Sequence, residues 1–316
     1  MGRQPTDPFT YLHADEAFLD PDRSDVLCPH LARALVIPFG LEATVSYGSG
    51  TARGPAAILA ASHQLELFDD ELMRQPCDEF GIATLKPPMI DLESGLEPAL
   101  DKLAHIVEQT LEAGRFPFVL GGEHSLTAGA IRPFAAHYDD LVVLQFDAHA
   151  DLRDGYLGER FSHAAAMRRV LDHQHVSLVS VGIRAVSAPE VAFAEANKHR
   201  VHIHWGKDQS HWSIDDIVAP LKGRPIYVTF DIDGLDGSIM PATGTPTPGG
   251  MNYPQVLAIL RRAAQVGTIV GADLVELAPI PGFHAYDFLA AQLAYKMMAY
   301  ALLGTGPGVR RARVLS

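Results

Sequence analysis

Short apolar runs that stop abruptly at acidic and histidine residues recur along this chain, and they restrict it to a narrow set of folds. The clearest is Leu141 to Arg153, LVVLQFDAHADLR. Its first residues are apolar apart from Gln145, the pattern of a strand buried on both faces of a parallel sheet. Asp147, His149 and Asp151 follow at every second position. If the extended backbone continues, residues two apart share one face, and two carboxylates and an imidazole converge at the strand end. That donor set suits a divalent cation. The alternative, for this stretch alone, is a solvated acidic turn.

Three further runs end the same way. Tyr227 to Asp233 reads YVTFDID and closes on Asp231 and Asp233. Phe116 to Leu120 leads through two glycines to Glu123 and His124, and Thr268 to Ala272 leads through Asp273 to Glu276. Sites in open α/β sheets form outside the carboxyl ends of the strands, so four strands place acids or imidazoles where such a fold does its chemistry. Strands are also expected at 34–40, 81–85, 176–183 and 201–205. Helices are expected from Pro55, over 92–113, 125–136, 163–172 and 254–265, and over 286–303. Eight strands alternating with helices predict a three-layer α/β/α fold around a mostly parallel, roughly eight-stranded sheet.

Four motifs together resemble one family. GGEHS (121–125), DAHADLR (147–153), FDIDGLD (230–236) with PATGTPTPGG (241–250), and GADLVELAP (271–279) are similar to the ureohydrolases, the arginase and agmatinase enzymes, and most of all to the agmatinase branch. The signatures run from about Tyr47 to Pro279. The resemblance implies an arginase-like fold and two Mn2+ ions per subunit. His124, Asp147, Asp151 and Asp231 would hold one ion, and His149, Asp147, Asp231 and Asp233 the other. The ions would share a water, whose pKa such coordination lowers towards about 7, with Asp151 also orienting it. Glu276 matches the family's guanidinium-binding glutamate, and His163 its proton shuttle.

The implied reaction is hydrolysis of a guanidino compound to urea and an amine, first of all agmatine to putrescine and urea, a polyamine-forming step. Guanidinobutyrate or a related guanidino acid is the main alternative. An arginase, a metal-dependent deacetylase or an inactive metal-binding protein fits the residues less well. Two departures matter. Arg153 stands where arginases carry an asparagine that holds the amino-acid end of arginine, which weakens the case for arginine. Gly237 stands where the family often has proline, which would loosen the turn after Asp236.

The remaining features exclude more than they assign. The chain has 316 residues, 47% hydrophobic and 20% charged, with no low-complexity linker. This suits an irregular arm over 1–32 followed by a single domain over 33–316. A net charge of −13 argues against a nucleic-acid binder and is compatible with a cationic substrate. The Arg-rich stretch 308–316 is expected to be solvated or an oligomer contact. Two cysteines, Cys28 and Cys77, make no disulfide framework or thiolate metal site. No signal peptide or membrane span is expected, so a cytoplasmic location is the default; the resemblance implies a trimer or hexamer. The glycine-rich loop 47–55 lacks a phosphate-binding signature. His13, His30, His173, His175 and the trio His199, His202 and His204 are expected to be structural or surface residues.

Overall fold

Each apolar run becomes a strand, and all of them align in parallel. In the computed structural model, which describes residues 7–304, the strands are β1 (Ala34–Phe39), β2 (Ile82–Thr84), β3 (Phe116–Gly121), β4 (Val142–Phe146), β5 (Ser177–Ile183), β6 (Val201–Trp205), β7 (Pro225–Asp231) and β8 (Thr268–Val275). They form one eight-stranded sheet in the order β2-β1-β3-β8-β7-β4-β5-β6. The Arg-rich stretch 308–316 lies outside the described residues.

The sheet has a core on each face. Period-two alternation sends Val142, Leu144 and Phe146 to one side, against the long helices Tyr253–Val266 and His284–Leu303 and against the helix Gly54–Ser62. Leu141 and Val143 point the other way, towards the helices Leu96–Glu112 and Thr127–His137. This is the expected three-layer α/β/α architecture. Among the described residues no helix is long and apolar enough to cross a membrane.

The sequence pattern missed three short helices, Pro76–Phe80, Ala188–Ala196 and Ile214–Val218. The expected helix over 163–172 is a 3-10 turn, His163–Ala165, followed by one short helix, Ala166–Val170. Residues 7–32 form three 3-10 turns, and their Phe18 and Leu19 are fully buried in the core. His13 and His30 are exposed.

Strands β3, β8, β7 and β4 lie side by side in the middle of the sheet. Their carboxyl ends therefore meet in one place. Two glycines let them close up. A Cβ on Gly122 would lie 1.9 Å from the Leu41 carbonyl oxygen, and one on Gly234 would lie 2.8 Å from the Asp147 nitrogen. Neither glycine of GGEHS has a positive φ; Gly122 supplies close approach between backbones, and Gly121 leaves room for the Leu126 and Val275 side chains.

Candidate metal centre and active site

Six of the expected ligands converge at these strand ends. His124, Asp147 and Asp231 each bring a ligand atom within 4.8 Å of the others, and so do Asp147, His149 and Asp233. Asp147 belongs to both groups. Asp151 joins the first, its Oδ2 3.0 Å from His124 Nδ1. Backbone donors set the carboxylates in place. The His149 N–H donates to Asp147 Oδ1 at 2.6 Å, the Ala148 N–H to Asp233 Oδ1 at 3.0 Å, and the Asp233 N–H to Asp231 Oδ1 at 2.9 Å. Gln145, the one polar residue inside β4, donates to Asp147 Oδ2 at 2.8 Å and accepts from the Ser180 hydroxyl.

His124 shows what this arrangement can hold. Its Nε2 lies 2.8 Å from Thr229 Oγ1. Behind it, Thr127 and Tyr227 donate to the buried carboxylate of Asp273. Its Nδ1 is buried and makes no hydrogen bond, although carboxylate oxygens of Asp151, Asp147 and Asp231 lie 3.0, 3.1 and 3.4 Å away. An imidazole nitrogen left unsatisfied among three carboxylates, with its other nitrogen anchored by a hydroxyl, is arranged as a metal ligand is.

The electrostatics agree. Asp147, Asp151, Asp231, Asp233 and Glu276 are all buried. Burial pushes Asp231 well above the usual carboxylate range, and Asp233 and Asp147 push it further. Burial and Asp147 raise Asp151 as well. Burial would also raise Asp147, but its contacts with His124 and His149 hold it low. Bound cations remove this mutual repulsion. The donors are oxygens and imidazole nitrogens without a thiolate, so the residues fit two divalent ions better than one structural zinc.

Five of the six, His124, His149, Asp151, Asp231 and Asp233, form the floor of a cavity of about 210 Å³, which Glu276 and His163 also line. Glu276 is 8% exposed and accepts the His124 N–H at 2.6 Å on Oε1. Burial, then the nearby Glu123, pushes its carboxyl well above the usual range. Asp151 and Glu276 both hold positive φ, 52° and 66°. The His163 ring sits 3.0 Å from Thr44 Oγ1 through Nδ1 and edge-on to Tyr156.

The walls are loops. Val45 to Gly48 form one side, with Gly48 donating to the Gly244 carbonyl of the long loop 234–250 at 3.2 Å. Arg153 lies over the Tyr156 ring at 4.9 Å, with Nε 3.8 Å from Glu190 Oε2. Asp236 holds the turn that Gly237 was expected to loosen. Its carboxylate accepts the Ser238 hydroxyl and the N–H groups of Ser238, Gly250 and Gly249, and these bonds, the hydroxyl's foremost, bring it down to about 2.

Several working residues gave no signal in the sequence. Arg184 donates to the carbonyls of Gly182, Asp233, Leu235, Thr247 and Pro248 at 2.7–3.1 Å, tying the loop 234–250 to the end of β5. Glu42 accepts the Gly50 and Ala52 N–H groups and the Thr51 hydroxyl. Its carboxylate thus occupies the anion position of the glycine-rich loop. His202 and His204 lie on the edge strand β6, away from both ligand groups.

Arg184→Ala is expected to leave several part-buried carbonyls without their donor. We predict a loss of about 2 kcal/mol in unfolding free energy, read as a lower urea midpoint at unchanged m-value, and faster proteolysis within 234–250. An unchanged midpoint would show that water replaces the guanidinium at no cost.

Comparison with known proteins places this geometry. The sequence profile of the arginase family matches residues 32–300. The N(1)-aminopropylagmatine ureohydrolase of Synechocystis sp. is 36% identical over 85% of this chain and 89% of its own length. The agmatinase of Bacillus subtilis is 34% identical over 86% of this chain and 92% of its own. The crystal structure of agmatine ureohydrolase from Thermoplasma volcanium superposes with a TM-score of 0.77 at 29% identity, covering 88% of this chain and 93% of that one.

Proposed function

The chain belongs to the arginase family and is a hydrolase of the ureohydrolase type; from that premise we propose that it cleaves agmatine to putrescine and urea with two Mn2+ ions. The observation that carries this is the pair of ligand groups sharing Asp147 on the floor of a cavity that also holds the buried Glu276. His124, Asp147, Asp151 and Asp231 would hold one ion, and Asp147, His149, Asp231 and Asp233 the other. Bound there, the ions supply Lewis acidity and a water of lowered pKa. The carboxylate-rich donor set suits manganese.

The protein's own groups do the rest. Glu276 is a buried carboxylate without a Lys or Arg partner among the described residues, and a guanidinium supplies one, pairing through its forked N–H donors. That pairing holds the guanidinium carbon above the ligand groups. Expulsion of the amine requires a proton, because an amide anion leaves poorly. His163 lines the same cavity, and an imidazole placed there can deliver that proton. The Arg153 charge is already engaged by Tyr156 and Glu190. Beside these acids the wall favours a substrate tail that ends in an ammonium over one that ends in a carboxylate.

The test is urea release by the manganese-loaded protein from agmatine, N(1)-aminopropylagmatine, guanidinobutyrate, guanidinopropionate and arginine, compared by kcat/KM. Agmatine is expected to lead the panel, with arginine poor. Aminopropylagmatine in the lead would keep the cationic tail and lengthen it. A preference for guanidinobutyrate would show Arg153 acting as a carboxylate receptor, and arginine as best substrate would overturn the specificity.

A further inference from the structure

Glu123, the acid inside GGEHS, is fully buried and is not one of the candidate ligands. Its Oε2 accepts the N–H groups of Ala43 and Thr44, both at 2.6 Å. Its Oε1 accepts the hydroxyls of Ser125 and Thr44, the latter at 2.8 Å. Four donors converge on it, as they do on an ionised carboxylate. Thr44 Oγ1 therefore spends its single proton on Glu123. The same oxygen lies 3.0 Å from the His163 backbone N–H and 3.0 Å from His163 Nδ1.

Donor accounting then leaves one solution. A hydroxyl carries one hydrogen and two lone pairs. The hydrogen goes to Glu123, one lone pair takes the His163 N–H, and the other faces Nδ1. Nδ1 must then carry a proton, since two lone pairs at that distance would repel. Ser162 Oγ lies farther away, 3.4 Å from the same nitrogen.

We propose that Glu123 and Thr44 are positioning residues that lock His163 as its Nδ1–H tautomer, keeping Nε2 as the basic nitrogen of the ring that lines the cavity. The inference rests on the proton-shuttle role proposed for His163. Nε2 takes a proton from solvent, forming the imidazolium, and passes it to the leaving nitrogen as the C–N bond breaks. The leaving group departs as the neutral amine and is protonated in solvent, the hydroxyl proton of the tetrahedral intermediate passes to solvent to leave urea, and the ring returns to its neutral form. Nδ1–H stays bonded to Thr44 throughout, and the Glu123 carboxylate supports the positive charge through the hydroxyl. The Glu123–Thr44–His163 chain thus does for this histidine what a carboxylate does for a catalytic imidazole elsewhere, with one hydroxyl interposed.

Two variants and one spectrum test this. Two-bond 1H–15N correlation spectra of the 15N-histidine-labelled, full-length protein, with His163 assigned from His163→Asn, should show a protonated Nδ1 and an unprotonated Nε2. Thr44→Val removes the hydroxyl at nearly constant shape. It should release the tautomer to a mixture or to Nε2–H and lower kcat about tenfold, with KM within about twofold and metal content unchanged. Thr44→Ser restores the hydroxyl and should recover most of kcat and the Nδ1–H signature. A wild-type Nε2–H tautomer overturns the proposal. So does a Thr44→Val protein that keeps Nδ1–H, or a Thr44→Ser protein as impaired as Thr44→Val. A fully active His163→Asn enzyme instead overturns the shuttle role, and the tautomer spectra distinguish that failure from this one.

Discussion

Asp231→Ala is expected to remove at least one metal equivalent per chain and to lower kcat/KM by at least about a thousandfold, roughly 4 kcal/mol of transition-state stabilisation. Asp231 closes β7 and offers its Oδ2 to the group formed with His124 and Asp147. Its other oxygen accepts the Asp233 N–H. One substitution therefore deletes a ligand of the first group and frees the backbone that aims a ligand of the second. Elemental analysis after reconstitution reads the metal loss directly.

Stability should move the other way in the stripped protein. Burial and its acidic neighbours make the Asp231 carboxylate costly when no cation is bound. The metal-free variant should melt no lower than metal-free wild type. Added Mn2+ should raise the wild-type Tm by mass action on the folded state and raise that of the variant far less. His204→Ala, on the edge strand, should change neither metal content nor activity. If His204→Ala strips the metal and Asp231→Ala does not, the centre lies elsewhere.

Glu276→Gln should keep both metals and the fold while losing at least about tenfold in kcat/KM for agmatine. The two side chains have nearly the same shape, and the amide oxygen can still accept the His124 N–H that Glu276 Oε1 accepts now. What disappears is the charge facing the guanidinium. Charge-assisted hydrogen bonds contribute about 1.5–3 kcal/mol each, and the orientation they impose adds to that. Urea release at equal metal loading measures the loss. A variant as active as wild type would remove Glu276 from substrate binding even with agmatine as the substrate.

The sheet and the candidate ligands were legible in the sequence because both follow local patterns. An apolar run reports a buried strand, and the point where it stops reports the strand's end. His124, Asp147, Asp231 and Glu276 are all read that way, and the sheet order then brings β3, β4, β7 and β8 together. Long-range polar pairings leave no such trace. Thr44 meets Glu123 and His163 across 79 and 119 positions, and nothing in the local run around Thr44 marks it. Arg184 bonds only to backbone carbonyls in the interactions described above, and carbonyls carry no sequence signature. The helix Ala188–Ala196 is a different case. Its capping box, Ser187 with Glu190, is a local signal, but nine residues are too few for the apolar periodicity on which the helix assignments relied.

The left-handed backbone at Asp151 and Glu276 has a consequence for how this enzyme can drift. Asp tolerates that conformation better than most residues, and Glu does not. Glycine at position 276 would relax the backbone by about 1–2 kcal/mol, and it would also delete a buried carboxyl group that lies among other acids. A library sorted for thermal resistance alone should therefore enrich glycine and asparagine at these two positions, and every such winner would have traded hydrolysis for robustness. If Asp151 and Glu276 have the roles proposed for them, only selection for catalysis holds these two residues in a backbone conformation that favours others.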